Sequence, residues 1–161
     1  MILYKLNCCQ MQQKNRYKTL LALFINLFCF SFFSQNNPVN WNINLSDSSI
    51  LFEAKIEKEW HLYAVYLPSP NDGPLPTKFE FNTSNNYSLK DSVTQAPPIT
   101  HFDKDFGVEV SYYENEAFFK QKIKIGNDST FKIEGNISYM CCNEQTCIPL
   151  YKDFSIAINQ D

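Results

Sequence analysis

The sequence predicts an all-β domain. Apolar residues recur with a period of two along most of the chain, and no helical periodicity reaches three turns. The alternating runs are punctuated by clusters of Pro, Gly, Asn and Asp, which end strands.

The elements follow in order. Val39, Trp41, Ile43 and Leu45 form the first alternating run, and Ile50, Phe52, Ala54 and Ile56 the second. Trp60, Leu62, Ala64 and Tyr66 resume it after Lys58, which breaks parity and marks a turn or bend. Pro68 to Pro76, with Asn71-Asp72-Gly73 inside, makes a rigid connection that no central strand can cross. A short strand over Thr77 to Asn82 turns Phe79 and Phe81 inward, with Tyr87 to Lys90 as its expected neighbour. After Pro97-Pro98, the polar stretch His101 to Asp105 reads as a loop. Phe106, Val108, Val110 and Tyr112 alternate again, a hairpin is expected near Glu114-Asn115-Glu116, and Phe119, Ile123 and Ile125 follow. Gly126-Asn127-Asp128 turns the chain into a cysteine-bearing strand, and Phe154, Ile156 and Ile158 close the domain. These segments make about seven to nine strands, which suits an immunoglobulin-like β-sandwich, with a small closed barrel as the alternative.

Before the strands, Lys14, Arg16 and Lys18 precede an apolar run of 14 residues, Leu20 to Phe33. This reads as a signal peptide over residues 1–34, cleaved near Ser34/Gln35, with Met11 as an alternative start. An uncleaved anchor needs about 20 apolar residues, and Phe28 before Cys29 is bulky for lipoprotein processing. About 127 residues remain, enough for one core and too few for two domains. Past Ser34 lie ten basic and 17 acidic residues, a net charge near −7, which excludes a phosphate-binding surface and nucleic acid as partner. Three cysteines stay in the mature chain, an odd number for a disulfide-rich scaffold.

The candidate chemistry lies in Tyr139-Met140-Cys141-Cys142-Asn143-Glu144-Gln145-Thr146-Cys147-Ile148-Pro149. Phe131, Ile133, Ile137, Tyr139 and Cys141 share one parity, and Lys132, Glu134, Asn136, Ser138 and Cys142 the other. Cys141 is therefore expected in the apolar layer as a small core hydrophobe, and Cys142 toward solvent or a loop, with Cys147 as its partner in sequence. A disulfide closing this short loop stabilises by only roughly 2 kcal/mol. That favours redox exchange over a structural staple, and Pro149 stiffens the chain beyond the pair. A metal site lacks ligands: His61 reads as an outward strand residue, and His101 as a loop residue able to tune a thiolate. No metal and no cofactor are expected.

With these residues laid out, the chain resembles the N-terminal periplasmic domain of the DsbD thiol:disulfide interchange proteins. The resemblance rests on Trp60-His61-Leu62-Tyr63, Gly73-Pro74-Leu75-Pro76-Thr77 before Phe79-x-Phe81, Phe119-x-Gln121, and Tyr139-Met140-x-Cys142-x-x-x-x-Cys147-x-Pro149. It implies a periplasmic electron-transfer module, a protein-disulfide reductase component. Its Cys142/Cys147 dithiol receives electrons and passes them to oxidised thioredoxin-fold partners, in disulfide isomerisation and cytochrome c maturation. It implies further that Cys147 attacks first, and that a cap loop covers the pair, with Phe106 as cap residue and Asp103 and Asp105 beside it. The four-residue spacing resembles a short-spacing subgroup, and Leu150 stands where a second proline is common. The chain ends at Asp161 without the membrane and thioredoxin-like domains of full-length members, so the expectation is a separate chain as membrane electron donor, with a fragment or a relic as the alternative. The contrasting expectation is an exported, non-catalytic binding or adaptor module whose disulfide pins a loop.

Overall fold

The computed structural model describes residues 37–126 and 130–159, so the expected signal peptide lies outside the described residues. Among these, every regular element is a strand: β1 (Val39–Ser46), β2 (Ser49–Ile56), β3 (His61–Tyr63), β4 (Lys78–Phe81), β5 (Tyr87–Gln95), β6 (Ile99–Asp103), β7 (Val108–Glu114), β8 (Glu116–Ile125), β9 (Thr130–Cys142) and β10 (Cys147–Asn159). Two antiparallel sheets result. The first has the order β1-β2-β8-β5; the second runs β10-β9-β3-β7-β6, with β4 also paired to β9. The architecture is the expected immunoglobulin-like sandwich, with ten described strands rather than seven to nine.

The alternating residues fill the space between the sheets. Trp41, Phe52 and Phe119 of the first sheet interleave with Phe79, Tyr139 and Phe154 of the second: the Phe52 ring lies 4.5 Å from Phe79 and 5.4 Å from Phe154, and Trp41 5.4 Å from Tyr139. Edge and tilted contacts of this kind suit the aromatic quadrupole and lock both sheets in one alignment.

Four local expectations are corrected. Tyr87 to Lys90 is not the neighbour of the Phe79 strand: β4 pairs with β9, whereas β5 runs on to Gln95 and pairs with β8 in the opposite sheet. Its polar composition fits an edge strand, and it carries a register shift between Lys90 and Thr94, where Asp91 has φ 59°. The stretch containing His101 is the strand β6, whose side chains are mostly exposed because it edges the second sheet. Glu114-Asn115-Glu116 is not a hairpin turn but a crossover between sheets. Asn115 takes a left-handed φ of 63°, and its carbonyl accepts the Ile56 amide at 2.8 Å. The Trp60–Tyr66 run is a strand only over His61–Tyr63, after which Ala64 bridges the elements: its amide donates to Ser111 and its carbonyl accepts from Thr77. These bonds tie both ends of the proline-rich connection to the second sheet.

Candidate redox site

β9 and β10 form a long hairpin whose last register pair is Cys142 opposite Cys147. The turn is fixed locally. Asn143 donates its amide to Thr146 at 3.0 Å, and its side-chain oxygen accepts the Gln145 and Thr146 amides at 2.9 Å each. The two cysteine Cα atoms are thereby held 4.1 Å apart, and Cys142 and Cys147 form a disulfide. Among the described residues, Cys141 is the free cysteine.

Strand parity separates the two adjacent cysteines. Cys141 is wholly buried between the sheets, and burial pushes its thiol up to about 12. Cys142 lies on the opposite, outer face, but the expectation that it runs out toward solvent is wrong: it is only 2% exposed. It belongs to a second apolar cluster with Tyr63 and Val110, against which Phe106 and Met140 pack. Cys147 is exposed, so the two residues joined by one bond have different surroundings.

The cover over Cys142 is the turn between β6 and β7. The Asp103 carboxylate accepts the Asp105 amide at 2.8 Å and the Phe106 amide at 3.2 Å, and the Gly107 amide donates to the Asp103 carbonyl at 2.8 Å. Gly107 has φ 71°, a conformation that lets the chain reverse at no steric cost. Phe106 therefore precedes β7 rather than starting it, and its ring stands perpendicular to Tyr63 at 6.3 Å on the outer face. The structure brings Asp103, Asp105 and Phe106 to the same cleft as Cys142 and Cys147.

Among the residues absent from the expected site, His61, Tyr63 and Glu114 also line it. His61 pairs in register with Cys142 on one side and with Glu114 on the other. Because register partners share a face, Cys147, Cys142, His61 and Glu114 form one row across β10, β9, β3 and β7. The His61 ring nitrogen Nε2 lies 3.2 Å from the Tyr63 hydroxyl, and the ring packs at a tilt against Tyr112, 4.9 Å between centroids. Burial lowers the His61 pKa below its usual value, opposed by the Glu114 and Asp103 carboxylates. Burial, with Asp103 next in effect, raises that of Tyr63, which stays protonated. His101, on β6, touches the other side of Tyr112 at 5.2 Å. The advance signals were parity, which put His61 on the outward face, and the Trp60-His61-Leu62-Tyr63 motif of the resemblance, and neither said what lay beside these residues.

The cleft encloses about 740 Å³ and carries the carboxylates of Glu57, Glu59, Asp103, Asp105, Glu114 and Glu144 against the single ammonium of Lys58. Among the described residues, no group of three or more His, Cys, Asp or Glu side chains is placed to hold a metal ion. What the arrangement offers is a disulfide with one open end and one shielded end, which suits thiol exchange through a mixed disulfide.

Two solved structures from Neisseria meningitidis share the fold. The chain is 14% identical to the reduced DsbD N-terminal domain, with a TM-score of 0.56 over 76% of this chain and 86% of that one. It is 12% identical to a chain from the complex between the DsbD N-terminal and PilB N-terminal domains, with a TM-score of 0.55 over 78% of this chain and 88% of that one. No curated protein sequence matches. The family profile described as thiol:disulfide interchange protein DsbD, N-terminal, matches residues 32–158, which spans the described sandwich up to, but not including, the last residue of β10 and includes both cysteines of the disulfide. The chain belongs to the DsbD N-terminal domain family.

Proposed function

We propose that this protein is a periplasmic thiol-disulfide exchange module, in which the reduced Cys142/Cys147 pair donates two electrons to the disulfide of a thioredoxin-fold partner. The observation that carries this reading is the asymmetry of the Cys142–Cys147 pair, one cysteine exposed and the other buried in the cluster that Phe106 packs against. Cys147 is the sulfur a partner can reach, and Cys142 the one that resolves the mixed disulfide. Family membership supports exchange chemistry, and the complex formed by a DsbD N-terminal domain with the PilB N-terminal domain supports a protein partner docking on such a domain. In the same reading, residues 1–34 are a signal peptide that delivers residues 35–161 to the periplasm, and a membrane electron donor re-reduces the pair. The pathways served are disulfide isomerisation and cytochrome c maturation.

The reduction potential tests this against the adaptor reading. Equilibration with glutathione or dithiothreitol buffers should place the pair between about −270 and −120 mV, the range of exchanging thioredoxin-fold dithiols. A value below about −300 mV marks a structural bond and overturns the proposal.

Phe106 is the cap in this reading, shielding Cys142 from non-cognate thiols and disulfides until a partner displaces the turn. Phe106→Ala should speed reaction of the reduced protein with a small oxidant about tenfold, the effect of removing about 1.4 kcal/mol from the opening barrier. Stopped-flow measurement on the folded variant checks it; an unchanged rate rejects the cap role.

A further inference from the structure

We propose that His61 is the proton acceptor for the Cys142 thiol in the resolving step of exchange, and the proton donor to that sulfur when the disulfide is reduced. The inference rests on the exchange function proposed above and adds a group to it.

The argument begins with the depth of Cys142. An exposed thiol such as Cys147 can lose its proton to water, but Cys142 is 2% exposed and roofed by Tyr63, Val110 and Phe106. Its proton must leave through a neighbouring group. The register supplies one: His61 is the direct cross-strand partner of Cys142 on the side away from Cys147. Such partners hold their Cβ atoms about 5 Å apart on one face, within reach of an imidazole and a thiol. Beyond His61 stands Glu114 in the same row, so a carboxylate backs the imidazole from the side opposite the sulfur. A thiol, an imidazole and a carboxylate in sequence are the parts of a general-base relay.

The other groups facing His61 fit this role. On its own strand, the Tyr63 hydroxyl lies 3.2 Å from Nε2. In the tautomer that donates Nε2–H to the Tyr63 oxygen, Nδ1 keeps its lone pair and is the basic atom. From β7, Tyr112 packs on the ring beside Glu114, and from β6, His101 and Asp103 bear on it electrostatically. Asp103 has a structural task, because its Oδ1 accepts the Asp105 and Phe106 amides and fixes the turn between β6 and β7. Glu57, Lys58 and Glu59 line the same cleft from the turn before β3. In the row that contains Cys142, His61 is the imidazole, the side-chain type that takes up and returns a proton most readily near physiological pH.

The step balances. The Cys147 thiolate attacks the partner's disulfide, forming a Cys147–partner bond and releasing one partner thiolate. His61 Nδ1 takes the Cys142 proton; the Cys142 thiolate attacks the Cys147 sulfur, and the second partner thiolate leaves. Two thiols of this chain are oxidised, one disulfide of the partner is reduced, and the proton on His61 passes to the departing thiolate or to water.

The test uses one equivalent of 5,5′-dithiobis(2-nitrobenzoate) with the reduced protein. The first release of chromophore reports mixed-disulfide formation at Cys147, and the second reports resolution by Cys142. In the wild type the second phase should rise with pH as His61 loses its proton, then level off. Because burial pulls the His61 pKa down, the plateau is reached by neutral pH. His61→Gln should lower the ratio of the second rate to the first about 10²-fold at pH 7, and its second phase should climb with pH without a plateau. Glu114→Gln removes the charge that raises the His61 pKa, so the inflection should move to lower pH. A second phase in folded His61→Gln within threefold of wild type, with the same pH profile, overturns the proposal and leaves the exchange function standing. Should that variant fail to fold, NMR titration of the His61 imidazole in the wild type decides, since its pKa must coincide with the second-phase inflection and a mismatch overturns the role. A wild-type pair that releases no second chromophore overturns both readings.

Discussion

Cys142→Ser, reduced and mixed with an oxidised thioredoxin-fold partner, should accumulate a mixed disulfide through Cys147, whereas Cys147→Ser should form none and lose turnover by about 10³-fold or more. The asymmetry of the site dictates the difference. Cys147 is open to the partner, so removing Cys142 spares the first attack and abolishes only the resolving one. Removing Cys147 leaves a single thiol beneath Phe106, which a folded partner cannot reach. Cys141 offers no rescue although it is the next residue. It faces the space between the sheets, and with its thiol pushed up to about 12 only on the order of 10⁻⁵ of it is ionised at pH 7. Cys141→Val should therefore fold and keep full exchange, at a cost below about 1.5 kcal/mol for a near-isosteric core swap. Non-reducing electrophoresis and mass spectrometry of the trapped species read the result. A trap through Cys141, or one formed by Cys147→Ser, would reverse the assignment of roles.

Much of this site follows from local pattern. The parity of Phe131, Ile133, Ile137, Tyr139 and Cys141 is a property of a single strand, and it separates Cys141 from Cys142 without knowledge of any other element. The same holds for β1 and β2, where every second residue is apolar. What local pattern cannot carry is the identity of the neighbour. Tyr87 follows Phe81 closely in sequence, yet β5 crosses to the opposite sheet and pairs with β8, because pairing is decided by which edges the whole sandwich leaves open. β6 reads as loop for a related reason. An edge strand with most side chains in solvent has no apolar face to alternate, so Thr100, His101 and Phe102 give no period-two signal. The burial of Cys142 depends on both. Parity puts it on the outer face, but only the pairing of β6 with β7 brings Phe106 over it, and only the pairing of β3 with β9 sets His61 beside it. The position of Phe106 beside Cys142 was suggested by family resemblance and not by parity, which offered Phe106 equally as the start of β7.

Gly135→Ala should destabilise the fold by at least about 3 kcal/mol, lowering the melting temperature by roughly 10 °C or more for a domain of this size. Gly135 lies in β9 opposite Phe81 of β4 and Phe154 of β10, on the parity that faces the core. A methyl there would sit 2.1 Å from the Glu80 carbonyl oxygen and 2.7 Å from Cζ of Phe154. Neither obstacle yields easily. The carbonyl belongs to the backbone of β4, which is held to β9 through Lys78–Phe81, and the Phe154 ring is wedged 5.4 Å from both Phe52 and Phe81. Relief requires β4 to lift from β9 or the aromatic layer to repack, and either change removes contacts between the sheets. The cysteine end of β9 is held differently: beyond Ser138 its non-hairpin neighbour changes from β4 to β3, which pairs with Cys141 and Cys142. Loosening β4 should thus cost stability without altering exchange in the fraction that stays folded at low temperature. Thermal melts paired with exchange assays at 10 °C separate the two effects. A loss below about 1 kcal/mol would mean that β4 is not fixed on β9, and a loss of exchange in folded protein would mean that the two ends of β9 are coupled.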